Sequence, residues 1–272
     1  MRKPIILSVF NQKGGSSKST TVLNMATAIT YKPLETLGEE KDAKVLIIDN
    51  DGQANTTFIS LGKNDDELID EGVVSINDIM VKKGVNTKDA IYHTEFKNVD
   101  IIPATIDHIY TDMQLVSVMD NNRILRKKLE EIYDDYDYII IDNPPAISLT
   151  TYNALMAADC VVAPIESSVF SAKGLNNLID LVDDMNETRE TELKLLSFLT
   201  KVDNRKGIKN ERARVALENA LGDKFINNQQ ISLLSLYTNA LEAGETAITF
   251  ARKSDRGSDE YVNLTNLVLE KI

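Results

Sequence analysis

Residues 11–21 read NQKGGSSKSTT, a run of small residues around two lysines that follows an apolar run and precedes a helical pattern. The consensus phosphate-binding loop, G-x-x-x-x-G-K-[ST], matches at Lys18 and Ser19. It departs at two positions, because Gln12 and Ser17 stand where the consensus has glycine. A strand, a small-residue loop and a helix in this order predict a phosphate site. A tight turn that only connects a strand to a helix is the alternative.

The residue types of this loop indicate its chemistry. Backbone N–H groups at the start of a helix bind phosphate oxygens, and the helix dipole favours their negative charge. Lys18 is expected to reach the β and γ phosphates of a nucleotide, and the Ser19 hydroxyl to ligate magnesium. Ser17 precedes the lysine, at a position that commonly needs a positive φ. Serine adopts a positive φ at a cost of about 1 kcal/mol or more, so the sequence predicts a strained loop.

Aspartates follow two other apolar runs, where strands of the predicted sheet end. Asp49 and Asp51 lie in KVLIIDNDGQANTT, and Asp142 lies in YDYIIIDNPPA. Ligands of open parallel sheets bind at the carboxyl ends of the strands, so these carboxylates are expected beside the phosphates. A carboxylate there can orient a water or hold a magnesium shell. Each motif alone also fits a solvated aspartate at a strand end, but the three motifs in this order predict a nucleotide site.

Short, nearly continuous apolar runs predict strands that are buried on both faces. The runs are 5–10, 44–49, 99–103, 138–142, 160–165 and 195–202. Helical patterns lie between them, beginning near Ser19 and covering 121–133, 172–185, 211–221 and 257–272. The alternation predicts an α/β fold, a mostly parallel twisted sheet with helices on both faces, in a single domain over residues 1–272. The acidic stretch 64–71 is expected to be a solvated loop or helix face.

Composition and charge limit the classes of function. The 272 residues carry a formal net charge of −12, which argues against a protein whose whole surface binds nucleic acid but allows a local basic patch. Cys160 is the only cysteine, so no intramolecular disulfide is possible, and a cytoplasmic setting is expected. No apolar run is long enough for a membrane span, and the start of the chain does not fit a signal peptide. His93 and His108 lack neighbours at metal-ligand spacing, which disfavours a zinc site.

The motifs together resemble a known family. NQKGG-x-x-KST, DNDGQAN and YDYIIIDNPPA, followed by LTTYNALMAADCVVAPIE, are similar to the ParA-type partition ATPases of the deviant Walker A group, which includes MinD. The similarity runs from about Ile5 to the C-terminus. It implies a P-loop NTPase fold and a weak, partner-stimulated hydrolysis of ATP to ADP with Mg²⁺.

The resemblance also implies the partners of the protein. They are a second copy in an ATP-bound homodimer, non-specific DNA, and a ParB-type centromere-binding adaptor that acts in plasmid partition or chromosome segregation. The ATP-bound form is then expected on the nucleoid.

Individual residues receive roles from the same resemblance. Lys13 matches the signature lysine that reaches the partner's nucleotide across an ATP-sandwich dimer, and a solvated loop cation is the alternative. Asp51 matches the aspartate associated with the hydrolytic water, so the catalytic residues are expected to be Lys13, Asp51 and Lys18. Asp142 matches the Walker B aspartate. The expected metal residues are Ser19, Asp49 and Asp142. The expected nucleotide loop is Lys13, Gly14, Gly15, Ser16, Ser17, Lys18, Ser19 and Thr20.

Two basic clusters are candidates for DNA contact. The stretch 201–214, KVDNRKGIKNERAR, has six basic residues against Asp203 and Glu211, and a smaller cluster lies at 252–256. Such patches neutralise phosphates and make binding salt-dependent. An ordinary solvated helix face is the alternative. The candidate residues are Lys206, Lys209, Arg212, Arg214, Arg252 and Lys253.

The chain departs from the family at three places. Many relatives carry Pro-Arg-Asn-x-Arg where an ungapped comparison puts residues 232–236, SLLSL, so adenine or DNA contacts through that stretch are not carried over. Gly52 stands where relatives often have proline, and Ala54 stands where they have glycine.

Two further functions stay open at this point. Ser17 motivates a nucleotide-dependent regulatory switch of the same fold with little or no hydrolysis. A MinD-like positioning protein at a membrane needs a basic amphipathic C-terminal helix, and the tail GSDEYVNLTNLVLEKI is acidic, so no membrane partner is expected. An electron carrier with a bridging iron–sulfur cluster is excluded, because it needs more cysteine than Cys160 alone.

Overall fold

The computed structural model describes residues 3–31, 42–167, 172–250 and 255–272. Within these ranges eight strands form one sheet: β1 (Ile5–Val9), β2 (Val45–Asp49), β3 (Tyr92–His93), β4 (Val99–Ile102), β5 (Tyr138–Asp142), β6 (Cys160–Glu166), β7 (Lys194–Val202) and β8 (Phe225–Ser232). Their order across the sheet is β3-β4-β2-β5-β1-β6-β7-β8. Every pairing is parallel except that of β3 with β4. The predicted α/β fold with a mostly parallel sheet is confirmed.

Helices connect the parallel strands and cover both faces of the sheet. They are α1 (Lys18–Tyr31), α2 (Asn55–Leu61), α3 (Asp65–Asp70), α4 (Ile76–Val81), α5 (Thr111–Leu115), α6 (Ile124–Leu129), α7 (Leu149–Ala157), α8 (Ala172–Asn186), α9 (Gly207–Leu221), α10 (Ser235–Glu242), α11 (Ala247–Phe250) and α12 (Arg256–Glu270). In the ranges that the structure covers, none of the helices combines the length and the apolar character that a membrane crossing requires.

Two apolar cores lie on opposite faces of the sheet. Alternate residues of each strand point to opposite faces, so Ile139 and Ile141 of β5 pack into one core and Ile140 packs into the other. The first core includes buried residues of α4, α6 and α7, and the second includes buried residues of α1 and α12. Because both faces are covered, the central strands are continuous apolar runs, which is why the sequence reveals them.

All six predicted strands are present, with ends within one residue of the predicted ones. The prediction missed β3, which is two residues long, and β8, whose sequence FINNQQIS has four polar residues in its middle. Those middle positions of β8 are exposed or half-buried. β8 pairs with β7 at Phe225, Gln230 and Ser232, with register shifts between these pairs, and it lacks the apolar run that would have identified it.

The helix predicted over 121–133 is shorter than expected. α6 begins at Ile124, and residues Glu130–Ile132 form a 3₁₀ turn. The Asn121 side chain donates to the carbonyl of Leu115, and the Asn121 carbonyl accepts from the side chain of Asn153. These bonds hold residues before Ile124 in a non-helical conformation.

The acidic stretch 64–71 is a helix face. It forms α3, which begins at a capping box in which Asn64 and Glu67 each accept the other's backbone N–H.

Candidate functional site

The parallel register brings three polar loops together at one edge of the sheet. β1 pairs with β5 so that Val9 lies opposite Asp142, and β2 pairs with β5 so that Asp49 also lies opposite Asp142. The chain therefore leaves all three strands at the same level. The predicted phosphate loop, the loop with Asp51 and the loop after Asp142 are neighbours at the carboxyl edge, where ligands of such sheets bind.

The loop between β1 and α1 contains two residues in the left-handed region of backbone conformation. Gly15 has a φ of 72° and Ser17 a φ of 67°. The positive φ predicted for Ser17 is confirmed. The Ser17 carbonyl accepts from the backbone N–H of Thr21 at 2.9 Å and from its hydroxyl at 2.8 Å. These bonds begin α1 directly after the strained residue, whose conformation costs about 1–2 kcal/mol in a residue other than glycine.

Lys18 is the first residue of α1, and its side chain is only 8% exposed. Its Nζ donates to the carbonyl of Lys13 at 3.3 Å. Burial lowers the pKa of Lys18, and the charges of Asp142 and Asp51 oppose this shift. The bond to Lys13 uses one of three ammonium donors, so the amine can also bind a phosphate oxygen.

Asp142 ends β5 and is 1% exposed. Its Oδ2 accepts from the Thr56 hydroxyl at 2.6 Å, whereas its Oδ1 is buried without a hydrogen-bond partner in the described ranges. Burial raises the pKa of Asp142, and the hydroxyls of Ser19 and Thr56 partly offset that shift. A buried carboxylate oxygen without a donor is suited to a cation or to a water bound by one.

Asp49 ends β2 and is fully buried. Both of its oxygens accept protein hydrogen bonds: Oδ2 from the N–H and hydroxyl of Thr57, each at 2.8 Å, and Oδ1 from the N–H of Asp51 at 3.1 Å. Burial, followed by the charge of Asp142, raises the pKa of Asp49. Because both of its oxygens already accept protein hydrogen bonds, Asp49 holds the surrounding backbone in place, whereas Asp142 has an oxygen that can bind a cation.

The donor set fits a magnesium ion that is shared with a nucleotide. Mg²⁺ prefers hard oxygen ligands, and in nucleotide sites it is held by one or two protein groups, phosphate oxygens and waters. The Ser19 hydroxyl and the Asp142 carboxylate are such groups. Among the residues that the structure describes there is no cluster of three or more His, Cys, Asp or Glu residues that could hold a metal by itself. The ion would therefore depend on the phosphates.

A buried hydrogen-bond network joins the loops after β2 and β5. Asn50 Nδ2 donates to Asn143 Oδ1 at 3.0 Å and to the carbonyl of Thr150 at 3.2 Å. Asn143 Nδ2 donates to Ser8 Oγ at 2.9 Å, and His108 Nε2 lies 3.0 Å from Asn50 Oδ1. Asp51 directly follows Asn50, so this network fixes the backbone from which its half-exposed carboxylate projects.

His108 is neutral in this network. Burial lowers the pKa of His108 to about 4. Since Asn50 Oδ1 can only accept, Nε2 carries the proton and Nδ1 faces the Thr111 hydroxyl at 2.9 Å. This role was not predicted from the sequence. The only local signal was an asparagine directly after the aspartate that ends each of two strands, at Asn50 and Asn143.

A cavity of about 460 Å³ runs from the phosphate loop to the ends of β7 and β8. The predicted site residues that line it are Gly14, Gly15, Ser16, Ser17, Lys18, Ser19, Thr20 and Asp51. Asp49 and Asp142 lie beneath it. Ser16 Oγ is buried and has no hydrogen-bond partner in the described part of the chain, so this hydroxyl is suited to donate to an anionic ligand.

The far end of the cavity contains residues that the sequence analysis did not place in the site. Its lining includes Thr200, Lys201, Ser232, Leu233, Leu234, Tyr237, Thr238 and Leu241. Lys201 has a φ of 52°, and its Nζ donates to the carbonyl of Gly15 at 2.6 Å. Thr200 Oγ1 is buried and, within the described ranges, has no partner. Leu233 and Leu234 thus give this end of the cavity an apolar wall, on which a flat base could pack beside the Thr200 hydroxyl.

Lys13 lies at the rim of this site, outside the residues that line the cavity. Its Nζ forms an ion pair with Glu166 Oε2 at 2.7 Å. The structure therefore brings Lys18, Ser19, Asp51 and Asp142 together and holds Lys13 to one side.

The predicted DNA residues differ in their surroundings. Lys206, Lys209 and Arg212 are exposed near the start of α9. Arg214 is half-buried, and its guanidinium donates to the carbonyl of Asn227 and to Gln230 Oε1 on β8. Arg214 is therefore engaged in holding α9 to β8. Arg252 and Lys253 lie outside the described residues.

The sequence is similar to those of known proteins over most of its length. An AAA domain family model matches residues 4–195. The sporulation initiation inhibitor protein Soj of Bacillus subtilis is 34% identical over 195 residues, 71% of each chain. The chromosome partitioning protein ParA of Caulobacter vibrioides is 27% identical over 98% of this chain and 94% of its own.

Among solved structures, the ATP complex of McdA from Cyanothece superposes with a TM-score of 0.81 over 99% of this chain and 98% of that chain, at 20% identity. This likeness bears on the fold. The family match and the identity to Soj show common ancestry, and they agree with the phosphate-loop and aspartate motifs of the sequence. The chain belongs to the AAA domain family and, within it, to the ParA-type partition ATPases.

Proposed function

We propose that the protein is an ATP-dependent DNA partition ATPase. In this proposal it binds ATP and Mg²⁺, forms a dimer across the nucleotides, holds DNA non-specifically and hydrolyses ATP to ADP under the control of a ParB-type adaptor. The observation that carries the proposal is the shared register of β1, β5 and β2. It gathers a phosphate loop, a buried lysine and three aspartates at one edge of the sheet.

The residues divide the chemistry between them. Backbone N–H groups of 14–20 and the Lys18 amine bind the phosphates, since amides at a helix start and a buried cation both favour negative charge. Ser19 and Asp142 would hold a magnesium ion, which would supply positive charge at the phosphates. Asp51 projects into the cavity from a backbone fixed by Asn50, where its carboxylate can orient the attacking water.

Lys13 completes the site of a second copy. It lies at the rim of its own cavity, so its amine can extend to a γ-phosphate presented across a dimer interface. The positive charge of this amine beside the γ-phosphate would stabilise both the dimer and the transition state for phosphoryl transfer.

A regulatory switch with little or no hydrolysis is the second candidate. Its basis is the φ of 67° at Ser17, since strain beside the γ-phosphate can displace the N–H groups that bind it. ATP turnover, measured alone and with DNA and the adaptor, separates the two candidates.

The first prediction tests the dimer. Lys13→Ala should abolish ATP-dependent dimerisation, measured as molar mass by light scattering after size exclusion, and leave the mass without nucleotide unchanged. Lys82→Ala is the control, because Lys82 is an exposed cation that pairs only locally with Asp78. ATP-driven dimers of the Lys13→Ala variant would contradict the proposal.

Ser17→Gly should raise the rate of ATP turnover. Glycine adopts the positive φ freely, and each 1 kcal/mol of strain relieved in the transition state increases the rate by about fivefold. Asn98→Gly, which relieves a φ of 56° far from the site, should leave turnover unchanged. If Ser17→Gly has the turnover of the wild type, strain at Ser17 does not limit hydrolysis.

Asp142→Asn should make the protein without nucleotide and Mg²⁺ more stable at pH 8 while it loses Mg²⁺-dependent ATP binding. A carboxylate whose pKa is raised in the folded state stabilises the fold when protonated, and that contribution is lost as the pH rises through the raised pKa. The neutral amide avoids the loss, so the gain should be up to about 3 kcal/mol at pH 8.

The gain should shrink towards pH 4, where the wild-type carboxyl is protonated as well. Melting temperatures at both pH values measure the effect, with the exposed Asp89→Asn variant as the control. A lower melting temperature for Asp142→Asn than for the wild type at pH 8 would refute this account of the buried charge.

DNA binding should depend on the start of α9. Lys209→Ala/Arg212→Ala should weaken ATP-dependent binding to DNA and lower the slope of log affinity against log salt concentration by about 2. Lys82→Ala/Lys127→Ala removes the same charge from other surfaces and should bind like the wild type. Equal effects of the two pairs would place the DNA surface elsewhere.

A further inference from the structure

The amine of Lys13 is already bound within its own subunit. Its Nζ lies 2.7 Å from Glu166 Oε2, and the side chains are 36% and 18% exposed, respectively. Glu166 is the last residue of β6, and β6 is the neighbour of β1, the strand that precedes the Lys13 loop. The two residues are 153 positions apart in the sequence and meet only because these strands pair in parallel.

The backbone around Lys13 is tied to the same strand. Asn11 Nδ2 donates to the carbonyl of Pro164 at 2.7 Å, and Asn11 Oδ1 accepts from the N–H of Lys13 at 3.0 Å. The carbonyl of Lys13 accepts from Lys18 Nζ at 3.3 Å. The Lys13 backbone is thus fixed between β6 and the phosphate loop, and its long side chain is the part that can change partner.

We propose that Glu166 is a positioning residue that holds Lys13 in its own subunit and so sets the threshold for ATP-driven dimerisation. The inference rests on the proposed function, in which Lys13 binds the γ-phosphate of the nucleotide in a second copy. Lys13 must leave the Glu166 carboxylate before it binds a phosphate across the interface, so the ion pair opposes the dimer. The γ-phosphate of ATP carries more charge and more acceptor oxygens than a carboxylate, so it can displace Glu166.

The size of the effect follows from the exposure of the pair. A partly exposed ion pair changes an equilibrium by about two- to fivefold, and a dimer must break two such pairs, so its dissociation constant changes by about four- to twenty-five-fold. This range makes dimerisation sensitive to ATP without preventing it. A dimer bound to ADP lacks the γ-phosphate, and Lys13 should then return to Glu166.

Glu166→Gln tests the proposal, because the amide keeps the size of the side chain and removes its charge. The dissociation constant of the ATP-bound dimer, measured by sedimentation, should fall by about four- to twenty-five-fold. The affinity of the monomer for ADP should stay within twofold of the wild type. Glu71→Gln is the matched control, since it removes a carboxylate from the exposed Lys63 pair and should leave the dimer unchanged.

An unchanged or increased dissociation constant for Glu166→Gln would overturn the proposal. Two measurements distinguish this electrostatic role of Glu166 from a purely structural one: the melting temperature and the dimerisation of Glu166→Asp. That variant keeps the charge on a shorter side chain, so its dimer should be weaker than that of Glu166→Gln, whereas a tighter dimer would count against the charge as the cause.

The double variant Lys13→Ala/Glu166→Gln separates this inference from the proposed function. With no amine to release, it should be as monomeric in ATP as Lys13→Ala. If Lys13→Ala alone still dimerises, the proposed role of Lys13 fails. If Lys13→Ala is monomeric and Glu166→Gln matches the wild type, only the role of Glu166 fails.

Discussion

The site depends on two carboxylates that the sheet holds opposite each other in buried surroundings. Asp49 and Asp142 end adjacent parallel strands at the same register position, and both are almost completely buried. Burial raises the pKa of each, and nearby negative charge adds to the effect. Uncompensated charge in such a place is costly, so the arrangement requires cations. The buried amine of Lys18 supplies one, and the magnesium ion of the proposed complex would supply another.

Hydrogen bonds from the surrounding polar residues fix the orientation of both carboxylates. Thr57 and the N–H of Asp51 satisfy Asp49, while the hydroxyl of Thr56 satisfies one oxygen of Asp142 and leaves the other available. The network of Asn50, Asn143 and His108 then ties the two loops to each other. A satisfied buried network gives a unique arrangement, because a change in one loop leaves polar groups of the other without partners. The position of Asp51 is therefore coupled to the loop that follows Asp142.

Lys13 and Ser17 give the same loop two features that a simple phosphate cradle lacks. Ser17 keeps a left-handed conformation at an energetic cost, and Lys13 directs its charge away from its own cavity to Glu166. Both features act on the γ-phosphate end of the proposed site, where hydrolysis and dimer formation meet.

Local sequence patterns were enough to predict the fold and the residues of the inner part of the candidate site. The central strands are apolar on both faces, so their runs were visible to within one residue, and the positive φ of Ser17 followed from its place before Lys18. Only the folded chain reveals three features of the site: the contact of Glu166 with Lys13, the role of His108, and the wall of Leu233 and Leu234. The same holds for β8, which pairs with β7 in an irregular register and has a polar middle. Local chemistry fixes a loop next to its own helix, whereas contacts between residues 58 or 153 positions apart exist only after the strands have paired.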